Sequence, residues 1–415
     1  MSQASRNGRL VAWGVPILNE LAALGRSVIL ARMLGPEELG RAMLLALTLR
    51  LVEMASDVAI ERLLAQSPDG DEPKFQANMH AAVLARGAAM AVLLALIAWP
   101  MAMAFEGGPT TLSYLLLAAT PMVRAVLHLD YRRWERVFNY RGLAVVDGAS
   151  ALIMLASAPV MVWIIGDHRA LIAIIFIQIA SQVTLSHFIA KRRYQIAFDK
   201  EPLTRVGRFG APLIVNSLLM FVTFQADRMI VAGYFTWADV GVYGVALQLA
   251  MLPAQIAGRA ATSLLSPRFR IAIAEGRLGS AVPPAMKLYA AMAVVFVAGY
   301  GLLAQPMMLL VYGPGFEAAT PLIWLLALAA ALRILRTPVS QLSVAMARTG
   351  DPARANILRA LAVIPALGAA AMGMPLASLA AAAAIGEALA AWRGWGLVKV
   401  GLVEMDQHRT KEAST

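Results

Sequence analysis

The sequence predicts an all-α polytopic membrane protein. It has about twelve transmembrane helices in two six-helix lobes related by a pseudo-two-fold repeat, with both termini cytoplasmic. Three observations predict this. The composition is 60% hydrophobic and 15% charged over 415 residues, where soluble domains carry about 45–50% apolar and about 25% charged residues. Lysine and arginine alternate between the loops. The first and seventh apolar blocks share a residue pattern.

The apolar residues fall in blocks of about 20, long enough to cross a hydrocarbon core as helices. The predicted spans are 10–33, 40–65, 81–105, 111–129, 142–165, 170–190, 209–235, 240–265, 286–312, 316–346, 356–372 and 374–398. Clusters of Gly, Pro and charge such as "GPEE", "EGGPT", "GDHR", "TWAD", "YGPGFE" and "GMP" separate them. Arg6 and Arg9 precede the first span as in a signal peptide. The run that follows extends to about Met33 without a small-x-small cleavage site, so it is expected to be retained as a span.

With the N-terminus inside, cytoplasmic segments hold 25 of the 36 Lys and Arg residues. External loops hold 3, namely Arg32, Arg41 and Arg169. The positive-inside rule then places both termini in the cytoplasm. The external loops are too short for a soluble domain. Two long connections, "KRRYQIAFDKEPLTRVGR" and "SPRFRIAIAEGRLGSAVPPAMK", are basic and amphipathic and are expected along the anionic inner leaflet. The domain plan is an N-terminal lobe at 1–195, a linker at 196–208, a C-terminal lobe at 209–400 and a cytoplasmic tail at 401–415.

The net charge of +11 belongs to these loops rather than to a nucleic-acid surface. The absence of cysteine excludes disulfides, thiol catalysis and thiolate metal sites. His128, His168 and His187 are scattered near interfaces, and none makes a metal pair at i, i+4 spacing. No P-loop or nucleophile elbow is present. The chain therefore reads as neither enzyme nor cofactor-binding protein. The eight tryptophans suit interface belts, and Trp134 and Tyr140, set among arginines, suit headgroup contact.

"GVPILNELAALGRSVILARMLGPEELG" from Gly14 and "GAPLIVNSLLMFVTFQADRMIVAGYFTWADVG" from Gly210 both open Gly-x-Pro. Both carry Asn five or six residues on and close on acid, aliphatic, Gly. Six spans per half give parallel repeats, the layout of an alternating-access transporter. Anchored on the closing glycines, Arg26 aligns with Asp227.

"LARMLGPEELGRAMLL" (30–45), "EMASDVAIERLLAQ" (53–66), "RRWERVFNYRGLAVVDGAS" (132–150), "DRMIVAGYFTWADVGVYGVA" (227–246) and "VYGPGFEAATPLIWLLALAAAL" (311–332) occur in that order. As an ordered set they resemble Wzx-type oligosaccharide flippases, in the superfamily that also holds lipid II flippases and multidrug exporters. One departure is Asp57-Val58-Ala59-Ile60, where the family usually has Asp-Leu-Gly-Leu. The resemblance implies two six-helix lobes around a central cavity. It also implies an undecaprenyl-diphosphate-linked oligosaccharide as substrate, and a role in O-antigen, exopolysaccharide or capsule synthesis at the bacterial inner membrane. A polysaccharide polymerase and a chain-length regulator are the expected partners.

Eight basic residues fall in or near spans: Arg26, Arg50, Arg86, Arg124, Arg228, Arg259, Arg333 and Arg336. Each costs about 2.5–3.5 kcal/mol at mid-membrane on insertion scales, so each is expected to face an interior or a cavity. An anionic diphosphate crossing the midplane gives a reason for the surplus, because guanidinium binds phosphate through a planar, permanently charged fork. Arg26, Arg259, Arg333 and Arg336 are the substrate-binding candidates. Arg50, Glu53 and Asp57 follow one helix face at i, i+3 and i+7 as an ion-pair network or coupling-ion site, for a proton or sodium ion. Asp227 and Arg228 are read as a pair within the C-terminal lobe, as a coupling site, or, for Asp227, as a contact to Arg26 across the lobes. Arg86 and Arg124 are expected to snorkel at span ends.

Two other functions fit the class. A multidrug exporter of organic cations needs an acidic cavity, whereas the surplus here is arginine. A membrane glycosyltransferase or polymerase could use Glu37 and Glu38 in the first external loop, but such enzymes carry a large external loop.

Overall fold

The computed structural model describes the backbone of residues 3–413 and the side chains of residues 11 and 14–405. The side chains of Arg6 and Arg9 lie outside the described residues. All regular structure among the described residues is helical. Nine helices there are long and apolar enough to cross a membrane, so the chain is a multi-pass membrane protein.

Helix α1 (Gln3–Ala55) carries the first two predicted spans, with a break at Gly35. There φ is 82° and ψ 179°, a region open essentially to glycine. Pro36, whose fixed φ suits a first helical turn, restarts the helix. The second predicted span ends ten residues early. Ser56 Oγ donates to the Val52 carbonyl at 2.9 Å and Asp57 Oδ1 accepts the Ala59 N–H at 2.9 Å. Such side-chain bonds compete with the helix ladder. The chain then resumes as α2 (Ile60–Gln66).

Next come α3 (Pro73–Ala104) and α4 (Thr111–Arg124), the latter capped by Thr110. Short pieces follow: α5 (Asp130–Arg133), a 3₁₀ turn at Trp134–Val137, α6 (Arg141–Leu143) and a π turn at Ala144–Ala149. Then α7 (Ser150–Ile165) ends on left-handed Gly166, and α8 (Ala170–Ile189) follows. After non-helical residues 190–199, α9 (Lys200–Tyr234) leads to α10 (Trp237–Ala274) and α11 (Leu278–Tyr312). The chain closes with α12 (Thr320–Ala345), α13 (Asp351–Leu361), α14 (Val363–Ala371) and α15 (Ala377–Ala413).

A capping box starts α10: Asp239 N–H donates to Thr236 Oγ1 at 3.2 Å and Thr236 N–H to Asp239 Oδ2 at 3.2 Å. The connection expected to lie on the leaflet at 266–287 is instead the ends of α10 and α11. They are joined by a tight turn in which Gly276 has φ 70°. The eleventh predicted span is two pieces, α13 and α14.

Contacts divide the chain into two compact units, residues 1–222 and 223–415, with α9 running through the division. In unit 1, α1 packs on α7, α3 on α4, and α4 and α7 on α8. Gly87 permits the α3–α4 approach, since a Cβ there would lie 2.5 Å from Ala125 Cβ and 2.7 Å from the Pro121 carbonyl. In unit 2, α12 packs on α10, α11 and α15. Buried Ala327, Ala329, Ala330 and Ala331 keep its surface small, which is how helices approach closely in lipid. Tyr289 and Tyr300 of α11 donate to the Ala257 and Ala246 carbonyls of α10 at 3.2 and 2.6 Å.

Candidate functional site

Each unit gathers charge in its interior. In unit 1 the break at Ser56–Ala59 borders a cavity of about 390 Å³. Four arginines line it (Arg50, Arg62, Arg86 and Arg124) against three acids, Glu53, Asp57 and Glu61. Glu53 lies 3.9 Å from Arg50 and 3.7 Å from Arg124. Arg86 donates to Ser56 Oγ and to the Glu53 carbonyl, both at 3.3 Å. Glu61 pairs at 2.9 Å with Arg132, which also reaches Asp147 at 3.2 Å and Glu135 at 2.9 Å.

Arg86 and Arg124, expected at span ends, both line this cavity, Arg86 partly buried and Arg124 exposed in the last turn of α4. The early stop of α1 exposes backbone carbonyls inside the unit, and Arg86 satisfies one of them. Arg50, Glu53 and Asp57 all line the cavity, but Asp57 lies past the helix end, so the expected i+7 register does not exist.

In unit 2, Arg336 of α12 and Arg359 of α13 converge on Glu387 of α15, at 3.4 and 2.8 Å. Glu387 is 2% exposed and Arg336 8%. Neither contact to Glu387 has hydrogen-bond alignment, and Arg359 Nη1 has no partner among the described residues. Arg336 also donates to Asn356 Oδ1 at 2.7 Å. Arg333, three residues before Arg336, separates from it. Its guanidinium stacks on Phe224 at 4.6 Å and its Nη1 reaches Met251 Sδ at 3.8 Å. Arg359 covers the same ring at 4.1 Å.

Arg26 in unit 1 resembles Arg333. Its Nη1 contacts Met154 Sδ at 3.5 Å. Neither Arg26 nor Arg333 forms an ion pair with a carboxylate among the described residues. Arg259 is exposed on α10. Asp227 Oδ2 accepts from the Tyr243 hydroxyl at 2.8 Å and its Oδ1 from the Arg228 N–H at 2.9 Å. Arg228 itself donates to Gln225 Oε1 at 2.8 Å.

Sequence reasoning missed Arg359, which lies at the start of the predicted span 356–372 and counts with the cytoplasmic charges. The Gly350-Asp351-Pro352 helix start, with Pro at the first turn, was the signal that this helix begins earlier. It also missed Phe224 and Glu61, which carry no local signature. Of the three histidines expected to be scattered, His128 and His187 meet His80 around Tyr194, with the His128 centroid 5.0 and 5.2 Å from those of His80 and His187, while His168 lies apart on Glu38 at 2.8 Å. No group of three metal-ligating side chains is placed to hold an ion among the described residues.

Long apolar helices with charge gathered inside each unit define a multi-pass membrane protein. The chain belongs to the polysaccharide biosynthesis protein family, whose pattern matches residues 29–321. It is 26% identical over 339 residues to the succinoglycan biosynthesis transport protein ExoT of Rhizobium meliloti (strain 1021), across 77% of this chain. The match spans 65% of that relative's length. The fold is similar to that of the lipid II flippase MurJ in an inward closed conformation. The TM-score is 0.73 at 13% identity, covering 96% of this chain and 89% of that one. It is also similar to an inward-facing multidrug resistance MATE family transporter, with a TM-score of 0.63 at 16% identity, covering 96% and 99%. These relatives and fold neighbours are transporters and flippases, not enzymes.

Proposed function

We propose that this chain moves an undecaprenyl-diphosphate-linked oligosaccharide across the bacterial inner membrane, for O-antigen, exopolysaccharide or capsule synthesis. In this reading twelve transmembrane helices form two six-helix lobes with both termini cytoplasmic, and the lobes alternate access to the two sides. The observation that carries it is the presence of two guanidiniums within apolar helices, Arg26 and Arg333, that contact a thioether or an aromatic ring and form no ion pair with a carboxylate among the described residues. A desolvated cation without an acid is costly, and a transient anionic ligand removes that cost. A diphosphate brings two such anions, matched to the fork of guanidinium. The family and the named role of the succinoglycan relative support a saccharide cargo.

The undecaprenyl tail stays in lipid while the arginines replace water around the diphosphate. Glu53, Asp57 and Asp227 are the candidate coupling acids for a proton or sodium ion. A lobe contact between Arg26 and Asp227 is tested by the exchange Arg26→Asp with Asp227→Arg. Rescue of export in the double variant supports the contact.

The main test uses a deletion strain complemented with Arg26→Ala, Arg259→Ala, Arg333→Ala and the double variant Arg26→Ala/Arg333→Ala, each at parental abundance. Lipid-linked sugar is expected to accumulate on the inner leaflet. Full export by the double variant overturns the cationic route. Transport of a cationic dye by the reconstituted protein, without binding of lipid-linked sugar, replaces the reading with a multidrug exporter.

A further inference from the structure

Residues 190–199 cross the surface of unit 1 without forming a helix, yet they are tied down along their length. Lys191 N–H donates to Asp130 Oδ2 at 2.8 Å. His128 Nε2 meets the Arg192 carbonyl at 3.0 Å, and His80 Nδ1 meets the Gln195 carbonyl at 2.9 Å. Ala197 N–H donates to the Ala77 carbonyl at 3.2 Å, and Asp199 exchanges two bonds with Asn78 at 2.7 and 2.8 Å. Tyr194 lies among three imidazoles, stacked on His80 at 4.4 Å.

The partners fix the protonation of two rings. His80 Nε2 accepts the Leu129 N–H at 3.1 Å, so its proton sits on Nδ1 and is donated to the strap. His128 Nδ1 accepts the Asp130 N–H at 3.1 Å, so its proton sits on Nε2 and is again donated to the strap. Each ring uses one nitrogen as acceptor and one as donor, which only neutral imidazole can do. A second proton turns the acceptor nitrogen against a backbone N–H. Either the ring leaves or a buried donor goes unpaired.

We propose that residues 190–199 form a pH-sensitive strap that releases α3 and α5 when His80 and His128 become protonated.

Charged groups from each packed element face the two rings. From α8, His187 donates through Nε2 to the Val126 carbonyl at 2.8 Å. Protonated, it would place a like charge beside His128. Asp130 of α5 favours a cationic His128, but its carboxylate is already bonded to Lys191 N–H and to Arg133 Nε at 3.0 Å. From the strap, Arg192 opposes added positive charge while reaching Gln76 Oε1 at 3.1 Å and the Asp71 carbonyl at 2.7 Å. Lys74 of α3 is paired with Asp199 at 3.1 Å. Burial, and then His187, push the His128 imidazole below its usual value; the Arg192 carbonyl and Asp130 pull the other way without prevailing. The strap is therefore held at neutral pH and loosens as pH falls below about 6.5, the ordinary imidazole value.

The chain has no cysteine, so a single spin label is straightforward. Phe198→Cys places it on an exposed strap residue. In lipid nanodiscs the spectrum is expected to be immobile at pH 8 and to gain a reversible mobile component toward pH 5. The paired substitution His80→Asn and His128→Gln keeps a donor near Nδ1 and Nε2 respectively but cannot titrate. It is expected to stay immobile over the whole range. Equal mobility of the parent at both pH values, or the same pH curve in the paired variant, overturns the proposal. If the paired variant does not fold, hydrogen exchange of the parent's 190–199 peptide decides. Roughly tenfold loss of protection at pH 5 after correction for intrinsic rate is expected for local opening, and unchanged protection overturns it. Neither readout involves a transported substrate, so failure here is separable from failure of the flippase reading.

Discussion

Glu387→Gln keeps the side chain's shape and removes the one charge on which Arg336 and Arg359 converge. Glu387 is 2% exposed, with the two guanidiniums at 3.4 and 2.8 Å. Deleting one partner of a buried ion network costs about 3–5 kcal/mol, because the remaining charge is left desolvated. Two arginines are stranded here, and Arg333 already adds a third cation nearby, so the upper part of that range is expected. Unit 2 covers residues 223–415, and for a domain of that size the loss corresponds to a fall in Tm on the order of 10 °C. The assay is thermal unfolding of the purified protein in detergent, followed by intrinsic fluorescence. As a control, Arg336→Met, Arg359→Leu and Glu387→Met together should melt near the parent, since replacing a whole buried network by packed apolar groups is often neutral. A Glu387→Gln protein that melts within error of the parent would refute the reasoning.

Tyr243→Phe removes the hydroxyl that bonds Asp227 at 2.8 Å; Asp227 is half-buried, so a loss of about 1 kcal/mol, the net worth of such a bond, is expected, read by the same melting assay. Gly87→Ala drives a Cβ to 2.5 Å from Ala125 Cβ and should cost about 1–3 kcal/mol through overpacking, as a lower Tm of the protein. Asp130 makes stability depend on pH. Burial raises its carboxyl, but the Lys191 N–H, Arg133 and His128 outweigh this and hold it below the usual carboxylate range. The stabilisation is present above the unfolded value of about 3.9 and is lost as pH falls through the lower folded one. Melting curves between pH 5 and 3 should show this loss in the His80→Asn/His128→Gln background, where the strap stays closed, and not when Asp130→Asn is added.

The helices were legible because each span is a long apolar block set off by Gly, Pro or charge. Gly35-Pro36 marks the break in α1 in plain view. The break at Ser56–Ala59 was less legible. Its driving bonds are local, but the surrounding apolar residues read as one continuous span. That misreading carried Asp57 onto a helix face it does not occupy and left Glu61 and Arg62 off the site. The Arg336–Glu387–Arg359 cluster joins residues from three helices, and no spacing rule connects positions that tertiary packing alone brings together. The histidines failed for the same reason. His80 is on α3, His128 precedes α5 and His187 ends α8, so their meeting depends on a strap whose basic, amphipathic composition suggested a leaflet-bound segment instead.

Five of the arginines divide into two chemical kinds, and the division separates variants expected to test stability from variants expected to test transport. Arg336, Arg359 and Arg124 each lie against a carboxylate. Removing such a cation strands an acid, so the expected defect is in folding. Arg26 and Arg333 contact sulfur, and in Arg333 a ring, and form no ion pair with a carboxylate among the described residues. Removing them strands nothing and relieves desolvation of a charge, so Arg26→Ala and Arg333→Ala should melt at or above the parental temperature. A retained fold with lost export would then locate the defect in the step that needs a free guanidinium. A lowered Tm in either variant would instead mark that arginine as structural and remove it from the substrate route.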